Sequence, residues 1–214
     1  MSDRFSRLAP LVTGVLFVAL ALGGTLMVGN TPATTASGTE VLSYYTAHHK
    51  RMGGGGFLIM LSVVAGLFFY AIVRSYLSRS PRAEWLAVAG FGGAVIFGVS
   101  ALVQGGIDFA FSDVGVHLDA GTAQVLNILQ SDISGFTIAA GIGGLMLAFG
   151  TAMLRGRLMP RWMGWATVVI GVLAVTGPLI GIAIPLEAVW VLVMSFMLFK
   201  AGALLPEALA STTR

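Results

Sequence analysis

The sequence predicts an all-α membrane protein, a bundle of six transmembrane helices with both termini on the cytoplasmic side. Three observations carry that prediction. Hydrophobic residues make up 57% of the 214-residue chain and charged residues only 10%, against about 25% charge in a typical globular chain. The apolar residues gather in long unbroken runs, which lipid forces into helix because nothing there can pair an open backbone group. The Lys and Arg residues stand in short clusters between those runs, as orientation signals do. With a mean hydropathy of +0.91, the chain cannot cover a water-facing surface. Continuous rather than alternating runs exclude an outer-membrane barrel. One transmembrane domain covering 1–214 is expected.

The first span is expected at 8–28. Arg4 and Arg7 precede it, as in a signal peptide. The run is about 21 residues, longer than the usual secretory core, and no small-x-small cleavage site ends it. The second span is placed at 54–74, with an outer helical extension before it. Ser37-Gly38-Thr39-Glu40 fits a capping box, so helix runs from about Glu40 through Tyr44, Tyr45 and His48, with Gly53 to Gly56 as a weak point. The third span is placed at 85–107.

The fourth span, 133–154, has a similar extension from Asp119 to Gln130. Leu118, Val125, Leu126 and Leu129 form its apolar side, and Gln124, Asn127 and Ser131 its polar stripe. Asp132 suits the N-cap of the span itself. The fifth span is placed at 162–184, kinked by Pro178 after Gly177, which frees a carbonyl near Leu173 or Ala174. Pro185 then makes a very tight hairpin into the sixth span, 186–205, where Glu187 would face the positive end of the helix dipole.

Ten of the twelve cations fall on one side of this topology: Arg4, Arg7, Arg74, Arg79, Arg82, Arg155, Arg157, Arg161, Lys200 and Arg214. Only Lys50 and Arg51 fall opposite. Six of the nine acids and all three histidines lie on that opposite side. The net +3 therefore splits into about +7 and −4, and the positive-inside rule makes the basic side cytoplasmic. A pI near 9.7 thus reports loop clusters, and no nucleic-acid partner is expected.

Sliding the chain by 79 residues aligns Gly56-Phe57 with Gly135-Phe136, Ile59 with Ile138, and Pro81-Arg82 with Pro160-Arg161. This suggests either a parallel repeat or convergent loop chemistry. Small residues four apart recur at Gly90, Ala94 and Gly98, at Ala140, Gly144, Ala148 and Ala152, and at Gly177 and Gly181. Such faces let helices approach closely, within the bundle or across a homo-oligomer.

No cysteine is present, which removes disulfides, thiolate metal sites and a cysteine nucleophile. No catalytic or nucleotide-binding motif appears. No histidine lies deep in a span, as a membrane haem requires. The outer face holds the candidate sites. His48, Asp113, His117 and Asp119 are candidate ligands for a divalent cation such as Zn²⁺ or Mn²⁺. Asp113 and His117 are four apart, although Gly115 between them favours a loop. Glu40, Gln104, Asp108, Asn127, Asp132 and Glu187 are candidates for lining a polar pocket. No cofactor is expected, with a divalent metal as the alternative.

Val41-Leu42-Ser43-Tyr44-Tyr45-Thr46-Ala47-His48, a glycine-rich second span, and Leu158-Met159-Pro160-Arg161-Trp162-Met163-Gly164-Trp165 before the fifth resemble small multi-pass membrane proteins of actinobacteria grouped as DUF4386-like. The resemblance covers most of the chain through interfacial and topological motifs. It implies a bacterial inner-membrane bundle of about six helices, and it carries over no activity and no functional residue. Three functional readings result. The first is a non-enzymatic binding or accessory protein that uses its acidic, His-bearing outer face. The second is a small transporter or ion pathway built around a kinked fifth span. The third is a metal-dependent membrane enzyme. Of these, an enzyme is the least favoured.

Overall fold

The computed structural model describes residues 2–114 and 117–202, and the side-chain surroundings of all of these except 2–6, 113–114 and 133–134. Arg214, Gly115, the side chains of Arg4 and Asp113 and the end of the expected sixth span at 203–205 lie outside what is described. Every described element is a helix: α1 Ser2–Val28, α2 Gly38–Leu77, α3 Glu84–Val114, α4 Ala120–Gly156, α5 Arg161–Val175 and α6 Ile180–Ala201.

Five of the six are long and apolar enough to cross a membrane. At 1.5 Å per residue, the 40 residues of α2 reach about 60 Å, twice the ~30 Å hydrocarbon core. The exterior is correspondingly apolar, with Leu26 77% and Phe136 80% exposed.

α2 starts where Ser37 Oγ accepts the Glu40 amide, which satisfies one orphan N–H of the first turn. Asp119 does the same for α4, accepting from Thr122 N–H at 3.0 Å and from the Thr122 hydroxyl at 2.6 Å. The glycines from 53 to 56 do not interrupt α2, because each packs closely on a neighbour.

The fifth helix departs from expectation. Pro178 does not kink it; the helix ends at Val175, and Gly177 turns the chain at φ +72°. That left-handed conformation is open to glycine and strained for other residues. Pro178 then denies the backbone N–H that a continuing helix needs. At 15 residues, α5 is about 22 Å long, short of the ~30 Å core. The turn therefore lies at Thr176–Leu179, and Pro185 sits inside α6 rather than at a hairpin.

Sequence neighbours pack against each other, α6 closes on α1, and α2 and α4 meet across the bundle. α2 and α4 run parallel: Gly38 lies against Ala120 at one end and Tyr70 against Phe149 towards the other. Small residues set the crossings. A Cβ at Gly93 would overlap the backbone of Gly144 and Leu145, and one at Gly56 would meet the Gly105 carbonyl. Gly90 and Gly98 likewise seat Phe149 and Val63. The third-span stripe thus serves contacts within the chain, whereas Ala140 and Gly144 of the fourth-span stripe are exposed, and Gly177 and Gly181 meet nothing within 4 Å.

Two apolar cores result. The larger fills the bundle around Phe69, Tyr70, Leu145, Phe149 and Trp190. The smaller joins the starts of α2 and α4 to the ends of α1 and α3 through Val28, Val41, Tyr45, Met52, Phe111 and Ala123.

The 79-residue register reappears in part. The caps that end α2 and α4, Ser78 and Arg157, stand 79 apart, but one is right-handed and the other left-handed. The helices that follow differ twofold in length, 31 against 15 residues.

Candidate functional site: two joined cavities with a buried carboxyl in each

The smaller core carries a chain of polar side chains from three helices. Tyr45 of α2 is fully buried and stacked on Phe111 of α3, with ring centroids 3.7 Å apart and planes 4° from parallel. Its hydroxyl points between two α4 side chains, donating to Asn127 Oδ1 at 2.7 Å and lying 3.1 Å from Gln130 Oε1. Gln130 Nε2 in turn donates to Asp108 Oδ1 of α3. Asn127 Nδ2 donates to the Pro32 carbonyl at 3.2 Å, which ties the α1–α2 loop over the cluster. Gln124 and Tyr44 hold the same loop, through Ala36 O at 3.1 Å and Asn30 O at 2.6 Å.

Helical spacing explains the gathering. Asn127 and Gln130 are three apart on α4, and Gln104, Asp108 and Phe111 follow at four and three on α3. Each set shares one face.

Asp108 is fully buried, and among the described residues its second carboxyl oxygen, Oδ2, has no hydrogen-bond partner. A buried acceptor left unmatched costs about 1–3 kcal/mol, more if charged. Asp108 is also part of the wall of a polar cavity of about 230 Å³, with Thr25, Thr31, Gln104, Asn127, Gln130 and Ser131.

A second cavity of about 320 Å³ lies deeper, between α1, α2, α3, α4 and α6. Its walls are mainly apolar, including Phe17, Val63, Phe97 and Ile138. Thr25, Ile59 and Gln104 line both cavities, so the two adjoin and Gln104 stands at the junction. Glu187 and Tyr70 form the polar spot of the deeper chamber. Both are buried, and the Tyr70 hydroxyl donates to Glu187 Oε1. Beside them Trp190 Nε1 donates to Thr167 Oγ1 at 2.7 Å, joining α6 to α5.

The expected outer set therefore divides. Gln104, Asp108 and Asn127 come together. Glu187 belongs to the deeper chamber, seven residues inside α6 rather than at its start, so it is no dipole partner. Asp132 is exposed within α4 and does not cap it; Asp119 does. Asp108 does not end α3, which continues to Val114. Glu40 is exposed. The Nδ1 of His48 lies 2.8 Å from Tyr44 O, its ring stacked on Tyr44 at 4.4 Å, and the Nδ1 of His49 lies 2.9 Å from Thr46 O. His117 is exposed on a turn beyond the end of α3, so no single helix aligns it with Asp113. Among the described residues no three His, Asp or Glu side chains are grouped as a metal site would need.

Sequence reasoning missed Tyr45 and Tyr70 as site residues. The signal was present: they are 25 residues apart on α2, within about 20° of one helical face. Met52, Gly56, Ile59, Val63 and Gly66 fill the face between them at steps of three, four and seven.

Asp119, at the rim, is altered by its surroundings. The hydrogen bonds from the Thr122 hydroxyl and then its amide hold the carboxyl below the ordinary aspartate range.

Compared with known proteins, the chain matches no family model, no curated protein and no solved structure.

Proposed function

We propose that the chain is a multi-pass protein of a bacterial inner membrane, DUF4386-like in kind, with both termini in the cytoplasm. It binds an amphiphile inside its helical bundle and catalyses no reaction. The observation that carries the binding reading is the unmatched Oδ2 of Asp108 in a polar cavity that adjoins an apolar one. An isolated buried acceptor is the complement of a ligand donor, and its cost in the empty protein is recovered when that donor arrives. The deeper chamber, at about 320 Å³, reaches the range of small-molecule sites. The ligand therefore has an amine or hydroxyl head at Asp108, framed by Gln130 and Asn127, and a hydrocarbon tail against Phe17, Val63 and Phe97. The split of charge, with cations clustered in the loops of one side, supports the orientation and puts the Asp108 end outermost.

A thermal-shift titration of detergent-solubilised protein tests this reading, using a long-chain alkylamine, the matching alcohol and the matching fatty acid. A ligand at 100 times its Kd adds about 2.7 kcal/mol. The amine or the alcohol should raise the Tm, the fatty acid should not, and Asp108→Asn should abolish the response. An equal response in Asp108→Asn, or a response to the fatty acid alone, overturns it.

A further inference from the structure

We infer that Glu187 and Tyr70 form a proton-binding site in the deeper chamber, loaded by water that passes Gln104 from the polar cavity. Glu187 is 3% exposed and Tyr70 2%, yet both line the chamber. An ionisable side chain placed inside a bundle this apolar needs a reason, because burial of a charge is costly and evolution has apolar residues of equal size to hand.

Among the described residues no counter-cation faces the pair. The chamber walls contributed by α1, α3 and α4 hold no ionisable side chain, and α2 contributes only Tyr70 itself. On the α5 side the neighbouring polar group is Thr167, occupied by Trp190. Arg74, one turn beyond Tyr70, is exposed, with its guanidinium 5.7 Å from the Phe91 ring. Two opposed influences thus act on Glu187: apolar walls disfavour its charge, and the Tyr70 hydroxyl stabilises it. A metal ion would need several more oxygen ligands than this spot offers; a proton needs one.

The step balances simply. An O–H bond forms on a Glu187 carboxylate oxygen as one breaks on a hydronium ion that has passed Gln104 into the deeper chamber, leaving water there; the return reverses it. Tyr70 keeps its own proton throughout and acts as a positioning residue.

The pair shares the deeper chamber with the proposed amphiphile tail but not the Asp108 head site, and its test uses ligand-free protein. Detergent-solubilised protein is treated with dicyclohexylcarbodiimide, an apolar reagent that adds to a protonated carboxyl and leaves a stable N-acylurea. Modified peptides are read by mass spectrometry from acidic to alkaline pH. Glu187 should be labelled, with a rate that falls at least tenfold as pH rises. Tyr70→Phe removes the group that stabilises the carboxylate, so the midpoint of that fall should move to higher pH. If wild-type Glu187 stays unmodified at every pH, or is modified at a rate that pH does not change, the proposal is overturned. The wild-type profile decides the matter even where a variant fails to fold.

Discussion

Asp108 shows how a single residue can oppose the stability of its own fold. Gln130 satisfies one of its carboxyl oxygens and nothing satisfies the other. Asp108→Asn keeps an acceptor for Gln130 and replaces a carboxyl by a neutral amide, which is cheaper to bury. The ligand-free variant should therefore be more stable than wild type by about 1–2 kcal/mol, measured by thermal unfolding in the same detergent. Lower stability would mean that the carboxyl is structural. Asp108, Gln104 and Asn127 were legible in the sequence because amides and acids are rare in apolar runs. Tyr45 and Tyr70 were not, because tyrosine also belongs at membrane interfaces, and only three-dimensional packing separates an interfacial ring from a buried hydroxyl. His48 is equally conspicuous in the sequence, but the sequence does not show that its Nδ1 lies 2.8 Å from the Tyr44 carbonyl of its own helix.

At the scale of elements, the glycines of α3 have divided roles. Gly93→Ala drives a Cβ into the Gly144–Leu145 backbone, and backbone cannot rotate out of the way. It should cost about 1–3 kcal/mol. Gly106 is in the same helix, with nothing within 4 Å of an added Cβ. Gly106→Ala should gain about 0.5–1 kcal/mol from helix propensity alone. Thermal unfolding of the two variants side by side checks both signs.

The start of α4 should respond to pH. Asp119 is held below its ordinary range by Thr122. Its cap therefore contributes fully above the unfolded aspartate value and is lost as pH falls through the lower, folded one. Hydrogen exchange at the first turn of α4, corrected for intrinsic rate, should show protection falling in that acidic window. Asp119→Asn, a neutral cap, should show no such fall.

The helix starts at Ser37 and Asp119 were legible because capping is local chemistry. The end of α5 was misread because Gly-Pro is compatible with either a kink or a stop, and the choice depends on what packs beyond it.

For the whole molecule, the apolar runs made an all-helical chain with helices of spanning length legible from the sequence alone. The arrangement inside the bundle was not. Which faces of α2, α3 and α4 turn inward depends on glycine crossings such as Gly56 with Gly105, and those have no one-dimensional signature. The outward bias of acids also hid a distinction, since Asp108 and Glu187 share a side by sequence yet line different cavities. On the proposed function, the polar cavity and the adjoining apolar one, both lined by Gln104, hold one amphiphile whose head donates to the Asp108 carboxyl. Native mass spectrometry of protein extracted in mild detergent tests that claim most directly. Wild-type protein should carry one bound non-protein mass per chain, and Asp108→Asn, folded and at least as stable, should carry none. Bare wild-type protein, or the same mass at the same occupancy on both, would contradict it.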